Sequence, residues 1–184
     1  MVPDRLKTEI RRIDDSVKEQ YRASSRWDSL KVGLHRMLSR SDVSSCEMEF
    51  PAGWTEAQNE GRGGVAIDIV YSTKDSSVVG LEVETSYMSA SHDLLKLAYF
   101  AGSDLVIKVG VASYLGVIVT HEDPGLSGPQ RGVYSRLYRR IDALRQSKVL
   151  GPVFRNLNLG LVGVIPTGST LVKLWPMSDL QRVE

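Results

Sequence analysis

Cysteine is almost absent from this chain. Cys46 stands alone among 184 residues, so the sequence offers neither an internal disulfide nor a cysteine-based zinc site. Histidine is nearly as scarce: His35, His92 and His121 lie far apart, with no H-x-x-x-H spacing, and none is assigned a metal role. His92, close behind the strand-like segment discussed below, reads as a polar residue at a helix start. No apolar run approaches the ~20 residues that span a bilayer, and the opening "MVPDRLKTEI" lacks the apolar stretch of a secretory signal. An excess of one charge is missing too. The 23 Lys and Arg against 22 Asp and Glu leave a formal net charge of +1, so bulk electrostatics announces no nucleic-acid binder. A local basic face decides phosphate binding, and acids elsewhere can cancel it in the sum. Repeats, low-complexity tracts and long linkers are also lacking. What remains is ordinary for a globular chain, at 42% hydrophobic and 24% charged residues. The expectation is a single domain over 1–184, cytoplasmic and without a membrane partner.

What is present is a run of alternating patterns. Leu6, Ile10, Ile13, Val17 and Tyr21 recur at helical spacing, and Trp27, Leu30, Leu34, Met37 and Leu38 mark a second helix. Ser25 and Asp28 before that second helix form an S-x-x-D capping box. "CEMEF" (46–50) alternates like a half-buried strand and stops at Pro51, after which "GWTEAQNEGRGG" is a long polar loop. "VAIDIVY" (65–71) and "VVGLEVE" (78–84) read as strands of a hairpin joined by "STKDSS". "SASHDLLKLAYFAG" is helical, "DLVIKVGV" and "LGVIVT" are strands, and the uniformly apolar second one is predicted to be central. "HEDPGLSGPQRG" is a loop, and the helix over 131–147 carries Val133, Leu137, Ile141 and Leu144 on one face. "LGLVGVIP" and "TLVKLW" complete the strands. The fold class expected is α/β, a mixed central β-sheet flanked by helices.

The hairpin contains acids where a buried strand wants none. Asp68 sits between Ile67 and Ile69, and Glu82 and Glu84 bracket Val83. Alternation puts Val79, Leu81 and Val83 on one face and Gly80, Glu82 and Glu84 on the other, while Ile67, Ile69 and Tyr71 oppose Asp68. Paired as a hairpin, the strands can bring all three acids to one face, with Gly80 leaving room for something to approach. Glu82 and Glu84 would have Cα atoms ~7 Å apart. Two such charges at ~5 Å repel by about 3 kcal/mol at an effective dielectric near 20. A cluster of this kind persists if a carboxylate protonates, if cations pair with it, or if a metal binds. Oxygen donors without nearby His or Cys suit Mg²⁺. An exposed hairpin with solvated acids would show the same alternation, but helices on either side of it argue for a covered sheet.

The order of elements and these acids together resemble the PD-(D/E)XK nuclease superfamily. The likeness rests on Asp68 and on Glu82-Val83-Glu84, with Glu82 fourteen residues after Asp68. The departure is Glu84, where most members carry Lys; a Glu-x-Glu version is similar to the BamHI/BglII-like branch of type II restriction endonucleases. The resemblance covers 26–166 as a restriction-endonuclease-like core, leaving 1–25 as an N-terminal helical extension and 167–184 as a C-terminal strand and tail. It implies that Asp68 and Glu82 hold Mg²⁺, with Mn²⁺ as a substitute and the Val83 backbone carbonyl as a further ligand. It also implies that Glu84 orients or deprotonates the attacking water. Lys96, in the following helix, is set aside as a source of the missing cation. Glu9, Glu19 and Asp28 are candidates for an added helix acid, and Glu49 reads as a solvated strand residue. Arg136, Arg139, Arg140 and Arg145 on or beside the polar side of the 131–147 helix form a phosphate track if the chain binds DNA, as does Arg62 in its loop; otherwise they are solvated charges.

The resemblance implies a Mg²⁺-dependent, sequence-specific endonuclease for double-stranded DNA. It implies a homodimer as well, encoded beside a cognate methyltransferase. The alternatives are a repair or recombination nuclease on the same fold, and an inactive nucleic-acid-binding protein in which the lost Lys marks lost activity.

Overall fold

The computed structural model describes residues 4–23, 30–51, 66–74, 78–83, 90–101, 115–121, 133–155, 159–164, 170–175 and 180–183. The expected strand "DLVIKVGV", the Ser25–Asp28 capping box, the loop holding Arg62 and the "EDPGLSGPQRG" part of the later loop lie outside these residues. His121, expected to open that loop, ends a strand instead.

Two helices lead, α1 (Asp4–Ala23) and α2 (Leu30–Arg40), followed by strands β1 (Val43–Pro51), β2 (Ala66–Thr73) and β3 (Val78–Val83). Helix α3 (Ala90–Ala101) precedes β4 (Leu115–His121), and α4 (Val133–Gln146) with the short α5 (Gly151–Arg155) precedes β5 (Leu159–Val164). Strands β6 (Thr170–Trp175) and β7 (Leu180–Val183) follow. The seven strands form one sheet in chain order. β1, β2 and β3 pair antiparallel, β3, β4 and β5 parallel, and β5, β6 and β7 antiparallel. The chain is therefore an α/β fold with a mixed sheet flanked by helices. "LGVIVT" is central, as its uniform apolarity predicts. Neither α5 nor β7 is among the expected elements, both being too short for periodicity to register. Among the described residues no helix is long and apolar enough to cross a membrane.

Each sheet face has its own core. Ile10, Ile13 and Val17 of α1 and Leu34 and Leu38 of α2 pack with Ile69, Tyr71, Val79, Leu81 and Val162. On the other face Leu94, Leu97 and Phe100 of α3 meet Leu137 and Ile141 of α4, together with Val70, Val78, Leu159 and Leu161. Strand alternation explains how β5 feeds both cores, Val162 to one and Leu159 and Leu161 to the other. Gly80 does leave room for something, and that something is α3. A Cβ built at Gly80 would lie 2.8 Å from Cδ1 of Phe100.

One expectation fails in an instructive place. Ile67 was expected to share a face with Ile69, yet it packs into the α3 and α4 core while Ile69 packs under α1 and α2. The strand beside it does the same: Met48 borders the first core, and Phe50 meets Phe100 edge-on at 6.1 Å. Between these pairs lie Glu49 and Asp68. Glu49 has φ 51°, in the left-handed region that strains a residue with a Cβ. Both strands thus turn over where they carry an acid.

Candidate active site

The β2–β3 ladder runs from Ser72–Val78 to Ile69–Leu81. One step further sets Asp68 across from Glu82, and there the ladder changes character. Asp68 Oδ2 accepts the backbone N–H of Val83 at 2.9 Å, so a carboxylate stands in for a strand carbonyl. Val83, expected to offer its carbonyl to a metal, meets Asp68 through its N–H. The other oxygen, Oδ1, accepts from Nζ of Lys31 at 2.8 Å. Lys31 belongs to the first turn of α2 and also donates to Glu49. Burial opposes the charge on Lys31, but its bonds to Asp68 and Glu49 raise its pKa above the ordinary value.

Glu82 lies on the opposite side of the hairpin's first core, under α3, and is 1% exposed. Its Oε2 accepts from Nζ of Lys96 at 2.6 Å, and the same Nζ lies 3.4 Å from Oδ1 of Asp93. Its Oε1 is buried with no hydrogen-bond partner. Burial pushes the Glu82 carboxyl up to about 9; Lys96 pulls it down, and the charges of Asp68 and Asp93 push it up again. Lys96 is itself raised: burial opposes its charge, but Glu82, Asp93 and Asp68 more than offset that. Burial is the largest cause of the Glu82 rise and favours its neutral form, and the charges of Asp68 and Asp93 add to it. Around the two lysines, Lys31 and Lys96, stand four acids, Glu49, Asp68, Glu82 and Asp93. The cluster lacks positive charge.

A buried carboxylate oxygen without a donor costs on the order of 1–3 kcal/mol, and more when ionised. A proton, an ordered water or a further cation relieves it. The donors are all oxygen, which suits a hard divalent ion such as Mg²⁺. Among the described residues no group of three His, Cys, Asp or Glu is placed to hold a metal ion. Asp68 and Glu82 supply two of the three acids in the sequence pattern, and Glu84 lies outside the described residues.

The remaining candidates divide cleanly. Glu9 accepts from the Tyr71 hydroxyl at 2.7 Å and pairs with Arg12 at 3.4 Å, inside the α1 and α2 core. Glu19 lines a cleft of about 540 Å³ between α1 and α2, whose lining includes Arg11, Arg12 and Arg40 but neither Asp68 nor Glu82. Asp28 lies outside the described residues. Glu49, read as a solvated strand residue, shares Lys31 with Asp68 and so borders the site. His35 lies 3.3 Å from the Cys46 carbonyl through Nε2, and His92 is exposed at the start of α3. Arg139 and Arg140 are exposed on α4 and Arg136 is half-buried. Arg145 is no part of that face: it is buried and donates to the carbonyls of Phe154 and Arg155, fastening α5 to α4.

Sequence reasoning missed Lys31 and dismissed Lys96. Lys96 had a signal, standing three residues after Asp93 on the helix that follows the acid-bearing strand. Lys31 had none, because 37 residues separate it from Asp68. No protein-family profile, curated protein or solved structure matches the chain.

Proposed function

We propose that this chain is a Mg²⁺-dependent DNA endonuclease of the restriction type, built on a restriction-endonuclease-like core. The observation that carries the reading is Glu82: buried beside Asp68, it keeps one oxygen unpartnered in a cluster short of positive charge. The order of elements supports it, with a helix before the antiparallel strands, then α3 crossing to the parallel β4. Asp68 and Glu82 would hold Mg²⁺, and the ion would supply Lewis acidity toward a phosphoryl oxygen and the attacking water. Glu84, in the usual lysine position, would accept a proton from the attacking water. Lys96 supplies the positive charge that the motif lacks, beside the acid next to which phosphate charge builds up. The water oxygen would bond to phosphorus as the bond to the 3′ oxygen breaks, leaving a 5′-phosphate and a 3′ oxyanion that takes its proton from solvent water. A homodimer would let one such site act on each strand of a palindrome. Exposed Arg139 and Arg140 are cations for the backbone phosphates.

The test is to incubate the protein with unmethylated duplex DNA of phage length, with Mg²⁺ or with EDTA, beside Asp68→Ala. Discrete fragments that need both Mg²⁺ and Asp68 are expected. A smear with the same requirements would assign the fold to a repair or nonspecific nuclease. The absence of cleavage with Mg²⁺ and with Mn²⁺ would sink the reading. One observation favours a second one: Lys96 already holds Glu82, as it would in an inert DNA-binding relative. There, Glu82→Ala should raise the melting temperature and change no reaction.

A further inference from the structure

Each of the two acids is held by its own lysine, and the two lysines come from opposite layers of the fold. Lys31 reaches Asp68 from α2, and Lys96 reaches Glu82 from α3. The sheet lies between them. Lys31 also holds Glu49, and Lys96 also holds Asp93, so neither lysine depends on its site acid alone for a partner. Asp68 has a second donor in the Val83 N–H, whereas Glu82 has one oxygen with none.

We infer that Lys31 and Lys96 are removable counter-ions of Asp68 and Glu82, which release these acids to a divalent cation and turn to the phosphates of incoming DNA. The inference rests on the nuclease reading above and adds to it Lys31, a further role for Lys96 and an order of events. Like charges compete for the same carboxylates, so each lysine weakens cation binding while DNA is absent. Phosphate oxygens are acceptors for an ammonium group and carry the charge that the lysine loses on leaving the acid. Glu49 and Asp93 keep the lysines close by during the exchange. Cation binding and DNA binding therefore strengthen each other, and by linkage the factor is the same in both directions.

The two chains to compare with the natural protein are Lys31→Met and Lys96→Met, which keep most of the side-chain volume and remove the charge. Ca²⁺ serves as the cation, so that DNA is bound without being cut. Titration calorimetry should show Ca²⁺ binding without DNA tightening by about tenfold or more in Lys31→Met. Lys96→Met is compared at pH values above about 9, where Glu82 gives up its proton. Duplex DNA should tighten Ca²⁺ binding markedly in the natural protein and much less in the variants. Unchanged or weaker Ca²⁺ binding in Lys31→Met overturns the inference, and Lys31, at the rim, tests it even if Lys96→Met fails to fold. Asp68→Ala separates the two layers of argument. If it leaves Ca²⁺ binding intact, or if the natural protein binds none with DNA present, the metal-site reading falls and this inference with it. If it abolishes Ca²⁺ binding while the lysine variants change nothing, only the counter-ion role is lost.

Discussion

Two glutamates are buried on opposite sides of the same hairpin, and they are treated very differently. Glu9 enters from α1 and meets the Tyr71 hydroxyl at 2.7 Å and Arg12 at 3.4 Å. Its neighbours supply a donor and a cation, although Nη1 of Arg12 is itself buried without a hydrogen-bond partner. Glu82 meets Lys96 through one oxygen, keeps the other without a donor, and shares its surroundings with Asp68 and Asp93. A carboxylate buried for stability should be closed off, because an open one costs free energy. One that stays open inside a fold calls for a proton, an ordered water or an ion to complete it. The burial of an acid is therefore less telling than whether its hydrogen bonds are complete.

The comparison breaks most visibly in activity. Asp68→Ala and Glu82→Ala are expected to lower the cleavage rate by about 10³-fold or more, the loss of several kcal/mol of transition-state stabilisation, in a gel assay with Mg²⁺. Tyr71→Phe should leave cleavage unchanged yet destabilise the fold by about 1–3 kcal/mol in urea unfolding, since Glu9 loses its donor. If Tyr71→Phe lowered cleavage as far as Glu82→Ala does, the division between the two acids would be wrong. Gly80→Ala should cost a similar 1–3 kcal/mol, because its Cβ would meet Phe100 at 2.8 Å.

A smaller effect sharpens the comparison through pH. Glu82 is raised from 4.5 to about 9 in the folded chain. Between those values the folded state holds a proton that the unfolded state releases, so stability from this group falls as pH rises. Thermal melts without metal should drop from pH 6 towards pH 9. Glu82→Gln should flatten that slope, and added Mg²⁺ should flatten it by favouring the ionised acid. The smallest change that the proposed nuclease function implies is on the exposed side of α4. Arg139→Ala and Arg140→Ala should each reduce the salt dependence of DNA binding by about one counterion, measured by fluorescence anisotropy.

Much of the frame was legible in the residues. Helical spacing located Ile10, Ile13 and Val17, and apolarity placed "LGVIVT" in the middle of the sheet. Alternation put Leu81 and Glu82 on opposite faces, and the coincidence of acids with an apolar hairpin marked Asp68 and Glu82. Period-two reasoning lost its grip at Ile67, because a left-handed Glu49 opposite Asp68 turns both strands over and one-dimensional pattern carries no sign of it. The lysines were harder still. Lys31 looks like any helix-surface cation until α2 is laid across the sheet, and Arg145 looks like its neighbours Arg139 and Arg140 until α5 folds back over it. A pattern reads a residue's own element; pairing between elements belongs to the tertiary fold.

The strand order has a consequence for how the protein is made. Each of the seven strands lies beside the one that precedes it in the chain. Among the described strands none has to be threaded between two earlier ones, so the sheet can lengthen by one strand at a time as the polypeptide leaves the ribosome. β2 and β3 emerge before the helix that carries Lys96. During that interval β3 is the open edge of the sheet, and the charge of Glu82 on it is a gatekeeper against pairing with a foreign strand.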